Sequence, residues 1–285
     1  MRHQNHTAEW RRSLGRAWRR TAGALKPSGR THELLRFLLF SGILVAFLVI
    51  GAKNLDYRWQ WFRVPKYLGT VEDGAFHAGV LLQGLVQTLR LSAYGLVWAL
   101  LIGMVTAFLR LSRSPLARLA ARGYLELVRN TPLLIHIFLI YFVIAPVFDL
   151  SPFVSAVAAL SIFEGAYASE MIRGGIVSIP RQQWESSYSL GLPGSIAYRK
   201  VILPQAFRLA LPPLTSQAIT LVKDSALVST ISIYELTMHG QIVVSETFLA
   251  FEIWFTVAAI YLIITLTLSG LVRYVERKTT LHYDI

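Results

Sequence analysis

A few ionisable or polar side chains lie inside stretches of this sequence that are otherwise apolar. Glu164 falls near the middle of one such stretch, and Lys223 and Asp224 are adjacent in another, followed by Ser225. An unpaired charge at the centre of a membrane helix costs at least about 2.5 kcal/mol, so these groups should face water, a ligand or an ionic partner. For Glu164, a contact with a bound ligand and a structural ion pair with another helix both satisfy this requirement.

These side chains do not form a pattern that is typical of an enzyme. The chain has no cysteine, its histidines show no metal-ligand spacing, and no nucleophile stands beside a base. The Gly-Lys dipeptide of a phosphate-binding loop is absent from the sequence, so we expect no ATP hydrolysis by that route. We therefore predict no catalytic residue, no metal and no cofactor, and a membrane-embedded enzyme is disfavoured.

Composition indicates a membrane protein. Of the 285 residues, 54% are hydrophobic and 15% are charged, and apolar runs near or above about 18 residues recur. The formal net charge of +12 comes from positive residues in the N-terminal tail and the polar loops, which is the distribution of cytoplasmic segments and not that of a nucleic-acid-binding surface. We expect an all-α, polytopic helical bundle of about six transmembrane helices, with both termini in the cytoplasm.

The first 80 residues divide into two parts. Residues 1–35 form a basic tail, for which a helix on an anionic membrane surface and a disordered tail are both consistent with the sequence. Residues 36–80 hold most of a first span, at about 34–52, and then an aromatic-rich segment that we expect along the external interface.

Residues 81–278 hold five further spans. Their predicted positions are about 81–109, a third span that ends near Val147, 154–176, a fifth from about Leu211, and 251–272. Small residues recur every fourth position in the second span and predict close packing with another helix: Gly95, Ala99, Gly103 and Ala107.

Two local features of these spans allow specific predictions. Pro132 interrupts the third span near its start, and the carbonyls freed there need donors from Arg129, Asn130 or Thr131. His136 follows, and we expect it to be packed and hydrogen-bonded and not a ligand. In the fourth span, Glu170 and Arg173 are three residues apart on one helix face and could form an ion pair.

The polar loop between the fourth and fifth spans, near 181–210, has the most regular pattern. Breakers at Pro180, Gly191 and Pro193 predict two short helices around a tight bend with positive φ at Gly191. Ser186 and Ser187 are small enough to let another surface approach closely. The residues of interest follow one another at fixed spacing: Glu185, Ser186, Ser187, Gly191, Leu203 and Pro204.

This spacing resembles a loop of the permease subunits of ATP-binding-cassette importers, which reads E-A-A, three residues, G, nine residues, I-x-L-P. Two serines replace the alanines here, and Val201 stands where isoleucine is usual. In that family the loop folds as a coupling helix that docks on the ATPase subunit. The resemblance, which covers about Leu81 to Lys278, implies a transmembrane domain like that of type I importers. It assigns ATPase coupling to Glu185, Ser186, Ser187, Gly191, Leu203 and Pro204.

Three shorter segments narrow the resemblance. Gly84–Ser92 (GLVQTLRLS) and Glu126–Leu134 (ELVRNTPLL) look like the branch that takes up polar amino acids such as histidine, arginine, glutamine, glutamate and cystine. Leu221–Leu227 (LVKDSAL) is similar to a family motif at the substrate pathway, although Ala226 replaces a residue that is often a second hydroxyl. The pathway residues are therefore predicted to be Glu164, Lys223, Asp224 and Ser225.

The resemblance implies a permease subunit that moves polar amino acids across a bacterial inner (plasma) membrane. The implied partners are an ATPase subunit that binds the ATP, a second permease copy or paralogue, and an external solute-binding protein. An importer of opines or related amines remains an alternative. So does an ion-coupled secondary transporter, which would need no ATPase and which the loop spacing disfavours.

Overall fold

The computed structural model describes residues 30–53 and 57–280, and the surface-helix interpretation of the tail concerns residues 1–29, which lie outside this range. The chain forms two compact units, one ending at Trp59 and the other beginning at Gln60. In the first unit, helix α1 (Arg30–Lys53) contains an apolar stretch, Glu33–Gly51, that is long enough to cross a membrane. This stretch agrees with the span predicted at about 34–52.

The second unit begins with the aromatic-rich segment that was expected along the external interface. This segment contains secondary structure that the sequence did not predict. A 3₁₀ turn (Trp61–Arg63) and helix α2 (Pro65–Leu68) lead into an antiparallel hairpin of β1 (Gly69–Glu72) and β2 (Ala75–Ala78). The two residues between the strands, Asp73 and Gly74, both have positive φ, as the favoured two-residue hairpin turn requires. The expected interfacial segment thus contains a small β-element.

The rest of the second unit is helical. Its first half consists of α3 (Val80–Leu111), α4 (Pro115–Arg129), α5 (Leu133–Phe138), a π-helical segment (Leu139–Ile144), α6 (Ala145–Phe148) and α7 (Pro152–Val177). Its second half consists of α8 (Arg181–Ser189), α9 (Gly194–Ala197), a π-helical segment (Tyr198–Ile202), α10 (Leu203–Asp224), a 3₁₀ segment (Ser225–Ile231), α11 (Leu236–Thr247) and α12 (Ala250–Thr280). The predicted all-α bundle is confirmed.

Within the described residues, four helices are long and apolar enough to cross a membrane, namely α1, α3, α7 and α12. Helix α4 and the run Leu133–Phe148 are bent by 105° relative to each other. They form a fifth candidate span if they are counted together as one broken span. The remaining predicted span corresponds to α10, which has 22 residues but is less apolar. Its polar side chains include Gln217, which faces the neighbouring helix α7 inside the bundle. A helix in this position needs no continuous apolar surface.

Helices α3 and α7 run side by side in the same direction, because Gly95 lies against Leu160 and Gly103 lies against Ala168. A Cβ atom on Gly103 would stand 2.8 Å from that of Ala168, and one on Gly165 would stand 2.8 Å from Ile102. The small residues of α3 therefore form the close helix contact that the sequence predicted.

The chain segments that interrupt the third and fifth spans meet in one core. Leu133 and Ile137 of α5 are buried in the same cluster as Val228 and Ile231 of the 3₁₀ segment. After the 3₁₀ segment and residues 232–235, the chain forms a further helix, α11, which the sequence did not predict. We call the end of the bundle that carries α8 and α9 the loop end, and the end that carries the β-hairpin the hairpin end.

Candidate functional site

The loop from Arg181 to Pro204 contains the predicted bend. Gly191 has φ +74°, and a Cβ atom at this position would meet nothing within 4 Å. The amide of Leu192 donates to the Ser187 carbonyl at 3.1 Å, and that of Gly191 donates to the Tyr188 carbonyl at 2.9 Å. These two bonds form the Schellman motif, in which a left-handed residue satisfies the last carbonyls of a helix. The prediction of a positive φ at Gly191 is confirmed.

The loop has its own small hydrophobic core, which joins it to the adjoining helices. Ile176 and Ile179 from the end of α7 are buried with Ile202 and Ala206. Trp184 of α8 and Tyr198 pack against this cluster, with their ring centroids 5.9 Å apart. Burial raises the pKa of the Tyr198 hydroxyl above its usual value. This core joins the loop to the ends of α7 and α10.

The predicted coupling residues differ in their exposure. Glu185 and Ser186 are exposed, and the Glu185 carboxylate pairs with Arg181 one turn earlier at 2.9 Å. Ser187 is only 2% exposed, and its hydroxyl donates to the Gln183 carbonyl at 2.7 Å. The expectation that both serines lie at an approachable surface is therefore wrong for Ser187, whose small size serves packing within the loop.

Leu203 and Pro204 lie where the loop joins α10. Leu203 is half-buried against the loop core, and Pro204 is exposed in the first turn of α10. A π-helical segment ends two residues before Pro204, and another ends two residues before Pro146. Proline lacks an N–H and its ring clashes with the carbonyl four residues earlier, so a wider helical turn before it relieves both problems.

Glu164 is 1% exposed at the middle of α7 and receives a hydrogen bond from the Gln217 side chain of α10. Its other oxygen, Oε1, is buried and has no donor in the described part of the chain. The Asp224 carboxyl group lies close to the Glu164 carboxyl group. A cavity of about 10 Å³, roughly the space of one water molecule, adjoins Glu164 and Gln217.

This arrangement tests one of the two explanations of Glu164, the structural ion pair. Among the described residues, Glu164 has no ion pair, so the structural ion pair with another helix is absent. An amide from α10 and a second carboxyl group surround it instead. Gln217 was not predicted as a site residue. The sequence did contain a signal for Gln217, because it lies seven positions before Asp224 and therefore on the same helix face.

The other two predicted pathway residues have different environments. Lys223 is exposed on the surface of the chain, whereas Asp224 is half-buried beside Glu164. The two adjacent charges thus point in different directions, as expected on a helix. Ser225 is fully buried, and its hydroxyl donates to the Val222 carbonyl at 2.8 Å. Within this structure, Ser225 is not available to a ligand.

The break before α5 is stabilised by nearby side chains. Thr131 donates to the Leu127 carbonyl at 2.8 Å, and Asn130 donates to the Glu126 carbonyl at 2.8 Å. His136 approaches the Thr131 hydroxyl to 2.5 Å through Nε2, which confirms that it is packed and hydrogen-bonded. The predicted role of Arg129 at this break is wrong, because Arg129 pairs with Glu170 of α7 instead.

A fully buried carboxylate, Glu235, was not predicted. It is the N-cap of α11 and accepts hydrogen bonds from the amides of Met238 at 2.8 Å and Thr237 at 2.9 Å. It also accepts from the Tyr261 hydroxyl of α12 at 3.0 Å and from the Thr88 hydroxyl of α3 at 3.4 Å. Glu235 thereby holds three helices together.

The chain is a multi-pass helical membrane protein with a polar group at mid-helix and a firmly attached polar loop at one end. Among the described residues, no cluster of three His, Asp or Glu side chains could hold a metal ion. A buried polar group at mid-helix is typical of membrane proteins that move ions or solutes. Residues 99–281 match the family of binding-protein-dependent transport system inner membrane components, and the chain belongs to that family.

Several relatives carry specific names. The chain is 39% identical over 202 residues to the glutamine transport system permease protein GlnP of Escherichia coli K12, covering 70% of this chain and 92% of the relative. It is 37% identical to the L-cystine transport system permease protein TcyB of Bacillus subtilis 168, covering 70% and 86% of the two chains. It is therefore similar to nearly the full length of both permeases.

Solved structures share the fold. A crystal structure of an amino acid ABC transporter with histidines matches with a TM-score of 0.70 and 34% identity, covering 78% of this chain and all of that one. An inward-facing structure of the MetNI methionine ABC transporter matches with a TM-score of 0.62 and 21% identity, covering 70% of this chain and 96% of the other. The second likeness establishes the importer-type transmembrane fold alone.

Proposed function

We propose that this chain is the pore-forming permease subunit of an ATP-driven importer of polar amino acids. The similarity to glutamine and L-cystine permeases supports amino acids as the substrate class. The importer would contain an ATPase subunit that binds the ATP, a second permease copy or paralogue, and an external solute-binding protein. The permease would hold no cofactor and no ATPase site of its own. The loop end and both termini would face the cytoplasm.

The single observation that carries the coupling role is the structure of the Arg181–Pro204 loop. The Gly191 bend and the core around Trp184 hold α8 at the loop end, with Glu185 and Ser186 exposed. An ATPase surface that contacts these two residues would transmit its movement through the loop core to α7 and α10. In this proposal Leu203 and Pro204 form the junction, and Gly191 and Ser187 keep the loop in shape.

The substrate pathway is proposed to pass the Glu164–Gln217–Asp224 cluster. Two carboxyl groups close to each other in an apolar bundle favour a positively charged group beside them, because a cation relieves their mutual repulsion. The ammonium of an amino acid supplies that charge, whereas the exposed Lys223 points away from the cluster and would meet a carboxylate only at another position along the pathway. The buried Ser225 would act only through the shape of the 3₁₀ segment.

The coupling proposal is tested by Glu185→Lys. This variant should insert normally but lose copurification of the ATPase and ligand-stimulated ATP hydrolysis, because it reverses the charge of an exposed docking residue. A matched control combines Glu185→Lys with Arg181→Glu, which restores the ion pair within α8 but not the charge presented by residue 185.

The two variants distinguish docking from helix stability. If Glu185 contacts the ATPase, the charge-swapped double variant should remain uncoupled. Recovery of ATPase binding in the double variant would show that only the pair within α8 matters, and normal coupling in Glu185→Lys alone would contradict the docking role altogether.

A further inference from the structure

Three arginines from three helices converge on one carboxylate at the loop end. Glu170 of α7 pairs with Arg173 at 3.0 Å through Oε2, which confirms the predicted pair. Its other oxygen, Oε1, contacts Arg110 of α3 and lies 3.4 Å from Arg129 of α4. Arg129 also lies over the Tyr167 ring, with its guanidinium carbon 5.6 Å from the ring centroid. We call the three arginines and Glu170 the arginine cluster.

The arginine cluster has more positive charge and more donors than Glu170 can satisfy. Three guanidinium groups face one carboxylate, so two positive charges are in excess. Each guanidinium has five N–H donors in a planar fork, whereas a carboxylate offers about four acceptor positions. The side chains of Arg129 and Arg173 are 44% and 31% exposed, so their free donors are open to an incoming group.

The position of the cluster indicates where that group would come from. Arg110 is the penultimate residue of α3, and Arg173 lies four residues before the end of α7, so both lie near the loop end of spanning helices. Helix α4, which carries Arg129, also exposes Leu116, Leu119 and Leu127 on the face opposite its buried residues. An excess of positive charge near the ends of membrane-spanning helices suits a molecule with an anionic headgroup and apolar tails.

We propose that Arg110, Arg129 and Arg173 form a binding site for the phosphate group of an anionic phospholipid of the surrounding membrane. The planar guanidinium group of arginine carries a positive charge and paired N–H donors, which match the charge and spacing of phosphate oxygens. Basic pockets between membrane helices are a recognised way of holding anionic headgroups. Glu170 neutralises one of the three positive charges and leaves the excess charge for the lipid. This site goes beyond the transport function and requires only that the chain spans a membrane.

The test uses the full-length chain, with the subunits that copurify with it, in phosphatidylcholine nanodiscs with increasing phosphatidylglycerol. Retained lipid is counted by native mass spectrometry, and the melting temperature is measured in parallel. The Arg129→Gln variant should bind phosphatidylglycerol about tenfold more weakly, because it loses a charge-assisted hydrogen bond to the phosphate. Arg129 has the longest contact with Glu170 in the cluster, so this variant should disturb folding least.

Arg113→Gln is the matched control. Arg113 is exposed on the short connection between α3 and α4 but makes no ion pair with Glu170. It should change binding by less than about twofold, as expected for a screened surface charge. Equal weakening by both variants would mean general attraction to an anionic membrane and would overturn the site. Unchanged binding in Arg129→Gln would do the same.

Two further measurements sharpen the result. Glu170→Gln removes the competing carboxylate and should leave phosphatidylglycerol binding equal or tighter, whereas weaker binding by a folded variant would contradict the proposal. Inorganic phosphate and glycerol phosphate are added as soluble competitors. If either displaces the lipid at equal concentration, the site takes free phosphate and the assignment to a lipid is wrong. Resistance to both supports the lipid assignment.

Discussion

Gly191 offers a test of the coupling loop in which backbone conformation is the only variable. Its φ of +74° is a left-handed conformation, which costs an L-residue about 1–2 kcal/mol. Because a Cβ atom there meets no neighbour within 4 Å, a larger side chain introduces no clash. Substitution by asparagine should therefore cost least, alanine should cost about 1 kcal/mol, and valine should cost about 2 kcal/mol or more.

These energies translate into affinity for the ATPase if docking requires the observed bend. A penalty of about 2 kcal/mol reduces the population of the docking conformation about 30-fold, and about 1 kcal/mol reduces it about fivefold. The apparent dissociation constant of the ATPase should rise by the same factors in the order asparagine, alanine, valine. It is measured by titrating the ATPase onto the permease in nanodiscs, with ligand-stimulated ATP hydrolysis as the second readout.

Gly174 is the matched control. It also has open space around its Cβ position, but it lies within α7 in a helical conformation. Gly174→Ala should leave ATPase affinity unchanged and stabilise the helix by up to about 1 kcal/mol. The reasoning is refuted if valine and asparagine at position 191 give equal affinity, or if Gly174→Ala weakens the complex as much as Gly191→Ala does.

Two further predictions concern the bundle. Asp224→Asn should abolish uptake and ligand stimulation without loss of assembly with the ATPase, and wild-type uptake affinity in an intact complex would remove Asp224 from the pathway. Tyr261→Phe should lower the melting temperature, because it removes a hydrogen bond to buried Glu235 worth about 1–3 kcal/mol. The effects of Tyr261→Phe and Glu235→Gln should be non-additive by about 0.5–3 kcal/mol, and simple additivity would show that the two groups are not coupled.

The sequence was most informative where a residue type has one dominant local effect. Gly191 stands between proline breakers, and its positive φ follows from that context. Pro132 ends α4 and starts a new helix, and the adjacent hydroxyl and amide side chains bind the freed carbonyls. The pair Glu170–Arg173 follows from helical spacing alone. In each case the partners lie within a few residues along the chain.

The sequence was least informative where the partner is distant. The contact of Gln217 with Glu164 joins residues 53 positions apart, and a single sequence gives no register between α7 and α10. The burial of Ser187 depends on the loop core, which forms only when the ends of α7 and α10 come together. Helix α11 was missed because its capping residue, Glu235, reads as an ordinary polar residue until Tyr261 and Thr88 are placed beside it.

The close contact between α3 and α7 limits how these two helices can move. If α3 slid by one turn, about 5.4 Å, either Ala99 or Ala107 would replace Gly103 against α7. Its methyl group would then stand 2.8 Å from the Cβ of Ala168, closer than two carbon atoms normally approach. The glycine therefore fixes the register of the pair, although the small residues around it repeat every fourth position. A slide of α3 along α7 by one turn is therefore disfavoured, and the bundle has to accommodate conformational change by another kind of movement.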